Sequence, residues 1–349
     1  MKIIHTADIH LGAKINNFPK EVSAARKEEV RSSFKRLIDY ANQNEIKVIL
    51  ISGDLFESDK PLVKDKEFFY SVVENNPQID FIYLHGNHDI VFDEKKYDNL
   101  KLFSDTWGSF SYDSVVISSI EMTSKNYSSL YSTLSLDIDK YNIVMLHGKV
   151  DTSEGLYNIV LSKLQNKNID YLALGHYHSY MQGKIDERGE YAYSGCLEGR
   201  GYDELGEKGF VLIDTDNNKK TFIPFSQRTI NLIKADITGL TDIYSIYLRA
   251  KSIGGFSKND IYRIELIGEI DRVIDGLELE LQKFLLNDTK YSDVKDHTKK
   301  KIDISKYEAD LSIRGEFIRE VYNDNSLSEE DKLKIISYGL KALLNGEVE

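Results

Sequence analysis

The sequence is poor in the residues that define small secreted and fibrous proteins. It holds one cysteine, Cys196, so no internal disulfide can form and a reducing compartment is the simplest expectation. Four prolines and the absence of low-complexity stretches exclude a collagen-like chain. Disorder is excluded as well, because 41% apolar and 29% charged residues are ordinary for a globular protein. No run approaches the roughly 18 apolar residues that would suggest a transmembrane helix. The opening residues Met1-Lys2-Ile3-Ile4-His5-Thr6-Ala7-Asp8 lack the basic flank and apolar stretch of a signal peptide. These absences together lead to the expectation of a cytoplasmic protein with no membrane partner. A basic excess is also missing: 45 Lys and Arg stand against 57 Asp and Glu, a net charge of -12. Neither the first 225 residues nor the remainder is basic. A chain that grips nucleic acid unaided usually carries a basic face, because neutralised phosphates release counterions. Unaided binding should therefore be weak, unless a basic patch is hidden in this average or a partner supplies the surface.

At 349 residues two or three compact units are expected. Residues 2–5 and 47–52 read as short buried strands, each followed by a polar turn. Between them, Val30, Phe34, Leu37, Ile38 and Ala41 recur at helical spacing within 20–45. A helix near 63–75 leads to a strand at 81–84, and strands at 142–146 and 169–174 flank a helix expected near 155–166. Residues 180–225 read as hairpins joined by Gly-rich turns. Alternating βα units followed by hairpins predict an α/β domain over 1–226, with two packed mixed sheets flanked by helices. A small α+β unit is expected over 227–290, with strands at 230–235 and 260–267 and a helix at 271–286. The polar, Lys-rich stretch 288–305 reads as a linker, and two amphipathic helices follow between 307 and 345. Ser328-Glu329-Glu330-Asp331 resembles the capped, acidic start of the second.

Chemistry collects where the predicted strands end. Asp8-Ile9-His10 follows the first, Gly53-Asp54 the second and Gly86-Asn87-His88-Asp89 the third. His147-Gly148 follows the strand at 142–146, and Gly175-His176-Tyr177-His178 the strand at 169–174. Loops just past strand ends hold side chains rigidly while leaving them open to substrate. Alone, each piece has a plain structural reading: a histidine at a strand end is usually hydrogen-bonded, and Asp after Gly is usually a turn or cap. Five such pieces, each following a strand, are not what turns produce. Carboxylate, imidazole and amide oxygen are the donors of Mn, Fe or Zn rather than of thiolate-seeking metals.

The ordered series D-x-H, G-D, G-N-H-D, H and G-H-x-H resembles the calcineurin-like metallophosphoesterase superfamily. That resemblance implies two divalent metal ions, Mn being expected and Fe, Zn or Mg compatible. Asp8, His10 and His178 would bind one ion, and Asn87, His147 and His176 the other, with Asp54 bridging. His88 would donate a proton to the leaving oxygen or stabilise charge on the phosphate. Asp89 either orients His88 or simply stabilises its turn. The opening Ile4-His5-Thr6-Ala7-Asp8-Ile9-His10-Leu11-Gly12, Gly53-Asp54-Leu55-Phe56 and the helix bearing Arg26 and Glu29 resemble SbcD-type DNA-repair exonucleases. Within them, the stretch from Glu198 to Gly209 resembles a shorter YhaO-type bacterial branch. The resemblance implies DNA as substrate, a capping domain, an SbcC-like coiled-coil ATPase as partner, and a homodimer as a common arrangement.

Some readings stay open at this level. Arg200 either sits in a loop shaped by glycines or contacts substrate phosphate through its guanidinium fork. The apolar faces of the C-terminal helices, among them Leu311, Ile313, Phe317, Leu333 and Leu340, either cover the protein's own body or dock the ATPase. A phosphodiesterase for small molecules such as cyclic nucleotides suits the acidic charge, and a non-catalytic scaffold is a further alternative.

Overall fold

The computed structural model describes residues 1–87, 89, 97–271, 274–301, 307 and 309–345. The chain divides into two compact units, Met1–Leu232 with Lys258–Tyr262, and Ile233–Ser257 with Arg263–Glu349.

The first unit is built on two six-stranded sheets. One runs in the order Lys219–Pro224, Gly209–Asp214, Lys2–Thr6, Val48–Ser52, Asp80–Leu84, Leu100–Leu102. Its last four strands are parallel and the first two antiparallel. The other runs Met181–Lys184, Glu190–Tyr193, Tyr171–Gly175, Tyr141–His147, Val115–Ser119, Gly108–Tyr112, with four parallel strands between two antiparallel edges. Both sheets are therefore mixed, as expected. Ile3, Val48, Leu50, Ile82 and Leu84 of the first sheet pack with Ile117, Ile143, Met145, Tyr171 and Ala173 of the second in one buried cluster. The alternate residues Val144, Leu146, Leu172 and Leu174 enter a second cluster with Leu130, Ile159 and Leu164. Central strands are thus buried on both faces, which is why they read as unbroken apolar runs rather than alternating ones.

The helix Lys20–Gln43 buries Val30, Phe34, Leu37, Ile38 and Ala41, the residues whose spacing predicted it. Val63–Glu74 forms the second long helix of this unit. The helix expected near 155–166 does not form. Asn158–Ile159 pairs with Lys149–Val150 as a short parallel ladder, and only a single 3-10 turn, Leu161–Lys163, follows. Leu156, Val160 and Leu164 have helical spacing, but Tyr157, Asn166 and Asn168 take left-handed φ values of 65°, 59° and 61°. A backbone reversed at both ends of so short a segment leaves no room for a helix.

Further along the chain, Ile230–Asp236, Ile261–Ile267 and Tyr291–Asp296 make a three-stranded sheet, accompanied by helices Ile243–Gly254 and Leu277–Leu285. Asp242 caps the first of these helices by accepting from the Ser245 amide. The stretch read as a linker contains the third strand and a two-residue strand, Lys299–Lys300. Its apolar signal is weak because one of its two buried positions is Ser292 and only Val294 is hydrophobic. Helices Ile313–Asn323 and Glu329–Asn345 follow, within the span 307–345 where two were expected. No helix among the described residues is long and apolar enough to cross a membrane.

His5, on the first strand, is wholly buried and hydrogen-bonded to the Tyr171 hydroxyl at 2.8 Å. Burial holds its imidazole down to about 3 from an ordinary 6.5. The unfolded chain accordingly takes up a proton that the folded chain refuses. Stability present above pH 6.5 is lost as pH falls through this window. Between pH 7 and pH 5 the loss through His5 should be about 2 kcal/mol. Urea denaturation at both pH values should show that loss shrinking in His5→Gln; an unchanged pH difference would remove His5 as its source.

Candidate metal centre

The parallel strands of both sheets deliver their C-terminal ends to one place. Asp8 and His10 follow Lys2–Thr6, Asp54 follows Val48–Ser52, and Asn87 follows Asp80–Leu84. His147 ends the strand Tyr141–His147, and His176 and His178 follow Tyr171–Gly175. The first two loops are zipped together by backbone bonds: the Asp8 amide donates to Gly53 O at 3.0 Å, His10 to Asp54 O at 3.0 Å, and Leu11 to Leu55 O at 2.8 Å. Asp8, His10 and Asp54 are held at φ of 50°, 52° and 49°, and His176 at 107°. Each such residue costs on the order of 1–3 kcal/mol, and these zippers are what hold three of them there.

Close packing fixes the glycines. A Cβ on Gly53 (φ +92°) would lie 2.1 Å from His147 Nδ1, and one on Gly175 would lie 1.9 Å from Ser52 O. Only glycine lets these loops approach so closely.

Two donor sets result. One oxygen or nitrogen from each of Asp8, His10 and His178 lie together, and so do those of Asp8, Asp54 and His147. Asp8 belongs to both. Asn87 Oδ1 is 3.0 Å from His147 Nε2, and Asp54 Oδ2 is 3.4 Å from the same nitrogen. The His176 ring stands 5.5 Å from that of His147, and its amide donates to both Asp8 oxygens at 3.0 Å. The structure thus gathers Asp8, His10, Asp54, Asn87, His147, His176 and His178 at one site. His88 lies outside the described residues.

The hydrogen bonds show which nitrogens are left for a ligand. His147 Nδ1 donates to Ser52 O at 2.9 Å, and His178 Nδ1 to Glu204 Oε1 at 2.7 Å. His10 Nδ1 lies 3.1 Å from Glu57 Oε2. With each Nδ1 turned to an oxygen, each Nε2 is the nitrogen that faces the site, and that of His147 is directed to Asn87 Oδ1 and Asp54 Oδ2. The Nε2 atoms of His10 and His178 face each other at 3.2 Å, a repulsive arrangement unless a cation or proton lies between them. This donor set fits a divalent ion of the Mn, Fe or Zn kind.

Burial pushes the Asp8 carboxyl up, while His147, His178 and His10 pull it back. Burial acts against charge on His147, yet its hydrogen bond to Asp54 and the field of Asp8 outweigh this and raise it to about 9. Burial and the neighbouring His147 lower His176. Closely placed acids and bases that perturb one another in this way are typical of functional sites.

Asp89 accepts from the amides of Gly86 at 3.0 Å, Phe56 at 3.0 Å and Leu55 at 3.2 Å. It ties the third loop to the second. Arg200 sits beside His178, its donors directed to Glu204 and Glu57. Sequence reasoning missed Glu57 and Glu204 as neighbours of the histidines. Glu204 lay inside the Gly-rich stretch already singled out, and Glu57 directly follows Gly53-Asp54-Leu55-Phe56. Neither stands at a fixed spacing from the imidazole it contacts, so only the fold reveals the pairing.

Similarity to known proteins follows the same residues. The chain is 28% identical over 237 residues to the metallophosphoesterase YhaO of Bacillus subtilis, itself described as uncharacterized, covering 62% of this chain and 58% of that protein. It therefore spans less than two thirds of that relative's length. It is 24% identical over 309 residues to the DNA double-strand break repair protein Mre11 of Sulfolobus acidocaldarius, covering 81% of this chain and 79% of that one. Identity to the SbcD component of the nuclease SbcCD of Staphylococcus epidermidis is 23% over 311 residues, covering 76% and 79%. Residues 1–180, which carry all seven gathered donors, match the calcineurin-like phosphoesterase family, and the chain belongs to it.

Proposed function

We propose that this metallophosphoesterase is a DNA nuclease that hydrolyses phosphodiester bonds with two divalent ions and serves DNA repair beside an SbcC-like coiled-coil ATPase. The observation that carries the reading is the pair of adjacent donor sets sharing Asp8, with the histidine Nε2 atoms directed into the site. Asp8, His10 and His178 would hold one ion, Asn87, His147 and His176 the other, and Asp54 would bridge them; Mn is the metal of this proposal. Such ions, when bound, supply the positive charge that neutralises a phosphate diester and its developing negative charge. The chain's residues do the rest. The zippered loops fix the donors before substrate arrives, so little reorganisation is left for the reaction. His88 donates a proton to the leaving oxygen, and Asp89 holds the loop that presents it. The likeness to Mre11 and to the SbcD component of SbcCD supports DNA as the substrate. The net charge of -12 supports a partner, because an acidic protein gains little from phosphate contacts alone. The same charge favours a second reading, a phosphodiesterase for small diesters.

The test is hydrolysis of labelled single- and double-stranded DNA with Mn²⁺, beside bis-p-nitrophenyl phosphate and cyclic nucleotides. DNA cleavage that falls about 10²–10⁴-fold in His88→Ala, the range for a lost general acid, is the expected result. Hydrolysis of small diesters with DNA left intact, also when the ATPase is added, would replace this reading with the second. Inactivity on every substrate with two ions bound would leave a scaffold.

A further inference from the structure

The side chains behind the two facing histidines form a closed ring. His10 Nδ1 lies 3.1 Å from Glu57 Oε2, and the same oxygen accepts from Arg200 at 2.8 Å. Arg200 donates from Nε to Glu204 Oε1 at 3.0 Å and from its terminal nitrogen to the same oxygen at 2.5 Å. Glu204 Oε1 takes the His178 Nδ1 proton at 2.7 Å, and His178 Nε2 returns to His10 Nε2 at 3.2 Å. Glu204 is 4% exposed and the Arg200 side chain 17%, against 31% for Glu57 and 29% for His178, so the ring is screened from water on its Glu204 side. His147, at the other donor set, is held differently: its Nδ1 donates to a backbone carbonyl, that of Ser52.

We infer that Glu57, Arg200 and Glu204 are positioning residues for one of the two metal positions, that of Asp8, His10 and His178, and leave the other position unaffected. The inference rests on the two-metal reading of the site and adds an asymmetry to it. Glu204 fixes the His178 imidazole in the tautomer that offers Nε2 and makes that nitrogen a better donor, and the Glu57 charge 3.1 Å from His10 Nδ1 favours the same tautomer of His10. Two carboxylates added behind Asp8 and Asp54 would overload the site with negative charge. Arg200 offsets them, and its planar fork reaches both at once, which a lysine ammonium cannot do in the same way. A guanidinium so engaged acts through the histidines rather than by meeting substrate.

The test is calorimetric titration of the full-length apo-protein with Mn²⁺. The wild type is expected to bind two ions. In Arg200→Lys and in Glu57→Gln, one ion should bind about 10–100-fold more weakly and the other should stay within about twofold. Glu57 is the more exposed carboxylate, so Glu57→Gln keeps the test valid should Arg200→Lys lose stability; thermal melts of the apo-proteins check this. Adding Glu57→Gln to His178→Ala should weaken Mn²⁺ binding no further, since the position it serves is already lost. Equal weakening of both ions would overturn the asymmetry. Unchanged Mn²⁺ binding with a raised substrate KM in Arg200→Lys would overturn the positioning role in favour of phosphate contact. A wild type that binds no Mn²⁺ would overturn the two-metal reading itself, and the inference with it.

Discussion

Asp54→Ala is expected to lower Mn²⁺-dependent phosphodiester hydrolysis about 10³-fold or more. Asp54 is 2% exposed and follows a strand buried along its whole length, so its carboxylate has little freedom to reposition. Its Oδ2 lies 3.4 Å from His147 Nε2, within the donor set it shares with Asp8 and His147. A divalent ion contributes several kcal/mol to stabilising charge on a phosphoryl group, and each 1.36 kcal/mol is a factor of ten in rate. Losing the residue proposed to hold both ions should therefore cost three powers of ten or more. Asp54→Asn separates charge from shape, since it keeps the volume and one oxygen; it should lose most of the activity too. A second readout needs no metal. The hydrogen bond to Asp54 and the field of the same carboxylate help to raise His147 to about 9 in the apo-protein. In Asp54→Ala that support disappears, so an NMR titration should find His147 losing its proton at lower pH. Activity within tenfold of wild type would end the bridging assignment.

The gathered donors were legible because of how this fold is wired. Each parallel strand begins far from the site and ends at it, so the residues just past the strand are both local in sequence and convergent in space. Asp8-Ile9-His10 and Gly175-His176-Tyr177-His178 announce themselves for that reason. The strands were equally plain, since burial on both faces makes them continuous apolar runs. What escaped were partners that meet across the fold. Glu204 and His178 are 26 residues apart, Glu57 and His10 are 47 apart, and no periodicity links either pair. The false helix near 155–166 failed for a related reason. Apolar spacing is a statement about faces, and it carries no information on the left-handed backbone at Tyr157 and Asn166. The strand at Tyr291–Asp296 was hidden because a buried serine fills a position where an apolar residue would have marked the pattern.

Arg26 gives the second large effect, this time on stability. It is 1% exposed, in the first third of the helix Lys20–Gln43, and pairs with Glu29, with Glu198 Oε2 at 2.9 Å and with the carbonyl of Gly199. Glu198, itself 2% exposed, also accepts from the Ser33 hydroxyl at 2.6 Å and from the Gln227 amide. Arg26→Met keeps much of the side-chain stem and removes the charge. Breaking a buried pair from one side leaves the other charge uncompensated, at a cost of about 3–5 kcal/mol. Glu29 keeps Arg228, so the orphan is chiefly Glu198. Burial already raises the Glu198 carboxyl, and Arg26 is the first of the groups that restrain it. Without Arg26 its folded value should rise further above the unfolded 4.5. A carboxyl raised on folding favours the folded state below its unfolded value and loses that contribution as pH rises through the folded one. The deficit of Arg26→Met should therefore be smaller at pH 5 than at pH 8, measured by urea denaturation against wild type. Adding Glu198→Gln should recover part of the loss at pH 8, because it removes the stranded charge while keeping an acceptor for Ser33. A loss below about 1 kcal/mol, or one with no pH dependence, would mean that water reaches the pocket and the network contributes little. A loss of the expected size would have a consequence at the metal centre as well. Arg26 grips the backbone one residue before Arg200, so the loop that sets His178 is anchored through the same guanidinium that stabilises the helix.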